Sequence, residues 1–332
     1  MALPEPVIEK AGGLRRAVVA WATAALSTGS SDAGTRWARA AWLRMLMVAA
    51  CAMAATAATA ADTSADLRTR FEALRQQGAS TLFDRQLYLQ STETDGHAEG
   101  EVHALVGHPY ALLRTNLLQA DHWCAILILH LNVQYCRVGG SPEAPVLDVG
   151  VGRKFDQPLK ALQWMKLGWQ VAASSAERLN VVLQAAGGPF GTKDFRIELE
   201  AVPYDARHTL VHFAYGYGYG TLARWAMQAY LGTVGHDKVG FSVIARDSAG
   251  RPKLAQGMRG LLERNTVRYQ LAIEAYLDTQ GQNGAQQLRN RLQAWFDATE
   301  RYPQQLHEVE RAAYIETKLG EVERSASALP AP

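Results

Sequence analysis

The sequence predicts an α+β fold in which a curved antiparallel sheet has one apolar side and a long helix follows. Three observations predict it. Strand-like segments succeed one another from 146 to 220, separated by short stretches that carry Gly, Pro or Asp, as hairpins require. The last of them, "HTLVHFAYGYGYG" (208–220), alternates aromatic residues with bare glycine. A helical period then governs 258–279.

The elements follow in order. In "ADLRTRFEALRQQ" (65–77), Leu67, Phe71 and Leu74 share one face of a short amphipathic helix. Residues 82–91 and 100–107 alternate as strands, and Pro109 opens a helix whose buried face is Leu112, Leu113, Leu117 and Leu118. "CAILILHLNVQYC" fits helix or strand; a helix end followed by a strand from Asn132 is the reading taken. Strands are expected at 146–152, 169–175, 179–186, 195–202 and 208–220, then a helix at 221–233. "KVGFSVIAR" and "RPKLAQG" flank Asp247-Ser248-Ala249-Gly250 as a further hairpin. The tail from 284 to 325 is helical, charged and broken near Pro303.

With 332 residues, 48% of them hydrophobic, the chain can bury a sizeable core. Its net charge of +2 is concentrated at the front. Lys10, Arg15, Arg16, Arg36, Arg39 and Arg44 precede position 62, against Glu5, Glu9 and Asp32. The remainder is close to neutral, which gives no electrostatic reason to expect nucleic acid. Residues 36–62 explain the basic front. Three arginines, a short apolar core from Met45 to about Ala55, and Ala58-Thr59-Ala60 have the layout of a cleavable export signal. An uncleaved inner-membrane anchor is the alternative. The expected division is a leader and signal at 1–61, an N-terminal helix at 62–81, the main domain at 82–280, a helical extension at 281–325 and a frayed tail at 326–332. Periplasmic export leaves Cys124 and Cys136 in an oxidising compartment, where two cysteines pair. Two buried free thiols are the alternative.

Several motifs decline the chemistry they suggest. "GGPFGTK" (187–193) lacks the Gly-Lys-Ser/Thr order of a phosphate loop and reads as a hairpin turn. "GYGYG" is not the dinucleotide fingerprint. The nine histidines show no zinc spacing, and no Gly-x-Ser-x-Gly elbow is present. No cofactor or metal is expected on these grounds.

Strand faces carry the rest. In 209–219, Thr209, Val211, Phe213, Tyr215, Tyr217 and Tyr219 share one side; His212, Ala214, Gly216, Gly218 and Gly220 share the other. Pairing Val202 near His208 would set Glu198 opposite His212, with Arg196 nearby. Glycines at alternate positions imply strong curvature, or a chamber emptied for a ligand. In the long helix, Arg264, Asn265 and Arg268 flank a core stripe of Leu262, Tyr269, Ile273 and Tyr276. They are either a solvated, ion-paired flank or a guanidinium pair that meets an acidic head group at a cavity.

A strand running through "GEVHALVGHPYALLRTNLLQADHW" into Pro109, a helix and Trp123, then a curved sheet and a long helix, resembles the START/Bet v 1-like helix-grip (SRPBCC) superfamily over roughly residues 82–280. The chain also looks like a group of exported proteobacterial proteins without an assigned activity. The resemblance implies a sheet wrapped on a long C-terminal helix, with a cavity between them for a lipid-like or other apolar molecule. An extra helical hairpin at the C-terminus departs from the superfamily pattern, and which helix is gripped stays open. No catalytic residue transfers. The ligand-binding set expected is Trp123, Arg196, His212, Tyr215, Tyr217, Arg264, Asn265 and Arg268. Three functions compete: a carrier of an apolar or amphipathic small molecule, with transient membrane contact; a cyclase- or dehydratase-type enzyme using His212, Glu198 and Tyr217; and an envelope protein that meets a protein partner through 284–325.

Overall fold

A computed structural model describes residues 64–77, 83, 86–153, 157–221, 224 and 238–327. The export segment at 36–62 and most of the helix expected at 221–233 lie outside the described residues. Helix α1 (64–76) precedes strands β1 (Leu87–Thr94) and β2 (His97–Val106). Helices α2 (Tyr110–Leu117) and α3 (Ala120–Leu127) follow. Six strands come next: β3 (Val133–Ser141), β4 (Ala144–Val151), β5 (Gln163–Ser174), β6 (Leu179–Gly187), β7 (Thr192–Pro203) and β8 (Thr209–Tyr219). A small hairpin of β9 (Val243–Arg246) and β10 (Pro252–Leu254) leads into α4 (Gly257–Asp278). The tail forms α5 (Gly284–Glu300), α6 (Pro303–Leu306) and α7 (Arg311–Ser327).

The eight long strands form one antiparallel sheet in the order β1-β2-β8-β7-β6-β5-β4-β3. Period-two alternation divides it into two faces. The inner face carries Leu89, Val102, Phe213, Leu199 and Val181 in one cross-strand row, all buried. Helix α4 packs on this face over β1, β2 and β8, so α4 is the gripped helix and the α+β helix-grip fold is formed. Gly100 on β2 makes the close approach. A Cβ there would run into Thr266 Oγ1 and crowd Leu262 of α4. On one side of the crossing, Glu263 anchors the helix. Its fully buried carboxylate accepts from Ser91 Oγ (2.5 Å) and from the backbone N–H groups of Phe241 (2.7 Å) and Ser242 (2.9 Å).

The glycines of "GYGYG" stand on the outer face. Gly216 lies over Glu99, and Gly218 lies over Lys193. Opposite them β7 shifts register between Lys193 and Arg196. A bulge paired with bare backbone bends and twists the strands it joins. Curvature is therefore the role these glycines serve, and the emptied chamber does not lie on their side. "GGPFGTK" forms the β6–β7 hairpin, with a turn at Pro189–Gly191 and Phe190 in the left-handed region at φ 58°.

Cys124 of α3 and Cys136 of β3 form a disulfide, with Cα atoms 5.2 Å apart. The tail is integral to the core. Trp295 of α5 is buried and donates from Nε1 to the backbone oxygen of Arg268 (3.1 Å). Helix α7 lies along the edge strand β3, where Lys318 Nζ donates to the carbonyls of His130 and Val133, both at 2.8 Å. An exposed strand edge invites unwanted pairing, and α7 covers this one. Among the described residues, no helix is long and apolar enough to cross a membrane.

Candidate functional site

The inner face under α4 gathers four of the residues predicted from sequence. Tyr215 and Tyr217 project from β8 by strand alternation, and Asn265 and Arg268 descend from α4 one turn apart. Asn265 is the hub. Its Oδ1 accepts from His130 Nε2 (3.2 Å) and from Arg268 Nη1 (3.4 Å), and its side chain lies beside Tyr215. His130 Nδ1 accepts from the backbone N–H of Asn132 (3.1 Å), which leaves the ring proton on Nε2. The imidazole is therefore held as the neutral tautomer. Burial, together with the nearby Arg268 charge, pushes its pKa down to about 3. Burial also pushes Tyr215, Tyr217 and Tyr269 well above the usual tyrosine range. At neutral pH these hydroxyls stay protonated.

Aromatic rings fill the space around the hub. Tyr269 stacks on His130 with centroids 4.9 Å apart and meets Tyr215 at 5.3 Å. Phe195 lies edge-on to Tyr215 at 5.3 Å, and Tyr215 meets Tyr217 at 5.9 Å. Arg268 is buried and spans from the hub to the tail, donating to Glu308 Oε1 (2.9 Å) and to the Leu306 carbonyl (3.2 Å). Arg264 is also buried and donates to the Val239 carbonyl (3.3 Å). Neither arginine is part of a solvated flank, although Arg259 and Glu263 do pair, at 3.4 Å.

The other predicted residues stand elsewhere. Trp123 is a buried structural residue of α3 and donates to the Leu117 carbonyl (3.0 Å). Arg196 and His212 face outward. Arg196 pairs with Glu198 (2.7 Å), whose carboxylate also accepts from Asn180 (2.8 Å). The β7–β8 register is displaced by two residues from the sequence expectation: His212 faces Glu200, and Glu198 faces Ala214. His212 bonds Glu101 instead (3.1 Å). His130 and Glu308 were missed. The ambiguous stretch around His130 and the charge of the tail hid them.

No family model matches the chain, and no curated protein matches it either. Among solved structures it is similar to a norcoclaurine synthase point mutant from Thalictrum flavum in complex with a transition-state analogue. The two are 12% identical with a TM-score of 0.31, over 43% of this chain and 91% of that one. An aromatase/cyclase from Streptomyces is 12% identical with a TM-score of 0.30, over 55% and 91%. A conserved protein from Enterococcus faecalis is 8% identical with a TM-score of 0.28, over 71% and 91%. Similarity at this level carries no activity across. The helix-grip assignment rests on the strand order and the seat of α4.

Proposed function

We propose that the chain is an exported helix-grip protein that binds an apolar or amphipathic small molecule between the inner face of the sheet and α4. The observation that supports it is the pairing of a tyrosine-lined apolar face with one internal polar hub at Asn265. Such a surface suits a molecule with an apolar body and a polar end. Burial of the body would supply affinity, and Asn265, Tyr215 and neutral His130 would orient the end. Arg268 is already matched by Glu308, so an uncharged or weakly polar end suits the hub better than a full anion. Side chains occupy the inner face, so entry requires rings such as Tyr217 and Phe195 to turn aside, which favours a small or flat ligand over a bulky lipid. The export reading draws on residues 36–62 and on the Cys124–Cys136 disulfide, a bond that oxidising compartments preserve.

The enzyme alternative loses its proposed machinery. His212 and Tyr217 lie on opposite faces of β8 and cannot act on one substrate atom. A second reading, partner binding through the tail, has one favourable observation. An open groove of about 680 Å³ runs between α5 and α7, lined by Arg289, Arg311, Glu310, Ile315, Glu316 and Leu319. Because the tail is packed into the core, charge reversal at Arg289 and Glu316 is a cleaner test of it than deletion.

Native mass spectrometry of the processed protein, followed by organic extraction, tests the main reading. A stoichiometric added mass that is lost on denaturation is expected. A bare polypeptide that gains no mass from a panel of periplasmic small-molecule extracts would overturn it.

A further inference from the structure

The outer face of the same strands holds a second constellation. Cross-strand pairing places Tyr88, His103, His212 and Glu200 in one row and Gln90, Glu101, Ala214 and Glu198 in the next. Glu101 and His103 are two apart on β2, so they share a face, and His212 is directly opposite His103 on β8. Ala214 faces Glu101, and its small side chain lets the carboxylate lean along the sheet toward His212. Glu101 Oε2 and His212 Nε2 are 3.1 Å apart. The two imidazoles stack with centroids 4.5 Å apart. One donor atom from each of the three residues lies within 4.8 Å of the others.

His103 is the anomaly. It is 0% exposed, yet neither ring nitrogen has a hydrogen-bond partner. A buried polar group without a partner is costly, and native proteins rarely leave one without a reason. Its surroundings offer little compensation. Helix α1 covers the neighbouring row of the outer face through Leu67 and Phe71, which pack on Leu210 and Val202, with Tyr88 and Leu105 at the margin. Arg70 of α1 brings a positive charge near Glu101 and His103, and Glu200 is taken by Arg178 at 2.6 Å. The Glu101 and His212 side chains remain partly exposed, at 31% and 16%, so solvent reaches the cluster from their side.

We infer that Glu101, His103 and His212 form a binding site for a divalent transition-metal ion of the zinc class. Two imidazole nitrogens and one carboxylate oxygen are a recognised donor set for that ion, with a fourth position left for water or an exogenous ligand. Donor atoms around tetrahedral zinc lie roughly 3.4 Å apart, given bonds of about 2.1 Å. Reaching that spacing requires the stacked rings to turn so that their in-plane lone pairs converge on one point. Binding would give His103 the partner it lacks and replace the Glu101–His212 hydrogen bond with two metal bonds. Linear spacing concealed the site, because its ligands come together only through the β2–β8 register.

The test uses the tag-free full chain, stripped with chelator and titrated with Zn²⁺ by calorimetry. Co²⁺ absorption reports the coordination. One ion per chain is expected, with cobalt bands of a four- or five-coordinate site. Glu101→Gln and His212→Ala should each weaken binding by at least the roughly tenfold that loss of even an outer-shell partner brings. His97→Ala, on the same strand but outside the cluster, should bind like the parent. If His212→Ala fails to fold, Glu101→Gln decides, since its side chain changes shape least. Absence of saturable binding at one ion per chain, or unchanged affinity in a folded Glu101→Gln protein, would overturn the proposal. The site lies across the sheet from the Asn265 hub, so its loss would leave small-molecule binding intact.

Discussion

Strand β8 presents two chemistries from one stretch of eleven residues. Inward, Phe213, Tyr215 and Tyr217 pack against α4 and β7, and Tyr215 lies beside the Asn265 hub. Outward, His212, Ala214, Gly216 and Gly218 make a graded surface that passes from a histidine pair to bare backbone. Inside, burial decides what each residue does. Outside, cross-strand register decides it, because a shift of two residues gives every side chain a new neighbour while leaving its face unchanged.

Like changes made on the two faces should have unequal effects. Phe213→Ala on the inner face should cost about 3–5 kcal/mol, through lost burial and the cavity left behind. Removing a carboxylate gives a second contrast. Glu308→Ala strands the buried Arg268 guanidinium and should cost about 3–5 kcal/mol. Glu198→Ala breaks the half-exposed Arg196 pair and should cost under about 1 kcal/mol. Urea unfolding of the variants measures all three, and equal costs for Glu308→Ala and Glu198→Ala would erase the distinction drawn between the faces. Next in size is the disulfide. Cys124→Ser with Cys136→Ser should lower stability by on the order of 3 kcal/mol, read from the same curves.

Acid provides a finer test, because each face holds one buried neutral histidine. The pKa values of His103 and His130 are each depressed to about 3, in both cases chiefly by burial. A depressed histidine contributes stability that is full above its unfolded value near 6.5 and is lost as pH falls toward 3, since only the unfolded chain takes up the proton. Each should contribute a slope of about 1.4 kcal/mol per pH unit in that window. Replacing His103 with Leu should remove one of the two contributions, and a pH series of unfolding midpoints reads it. The smallest expected effect is at Gly216, where an added methyl meets Glu99 and the Ala98 carbonyl at 3.1–3.4 Å. Gly216→Ala should cost well under the loss caused by Gly100→Ala, whose methyl would run into Thr266 Oγ1 and crowd Leu262 of α4.

Much of this was readable in the residues. The inward set of β8 followed from strict alternation, and the long helix expected at 258–279 is observed at Gly257–Asp278. Helix and strand geometry point to Asn265, Arg268 and Tyr215, and the fold brings them together. The misses have physical causes. Gly100 opens the strand expected at 100–107, and only the position of α4 reveals its role. Glu308 and Lys318 sit in a charged tail whose composition suggests solvent, yet Lys318 is buried and bonds Glu321 Oε2 at 2.7 Å. His130 lies at a helix end that also fits a strand. The metal-type cluster depends on register, which a single sequence does not fix.

The inner face, through the Asn265 hub, is the proposed seat of the small molecule. The most direct measurement is native mass spectrometry of the processed protein and two variants, each exposed to the same periplasmic extract. Asn265→Leu removes the hub with nearly the same volume, and Arg196→Ala alters the outer face only. A bound mass is expected on the parent and on Arg196→Ala, with strong loss from Asn265→Leu. A bound mass retained equally by all three proteins, or lost with Arg196→Ala alone, would contradict it.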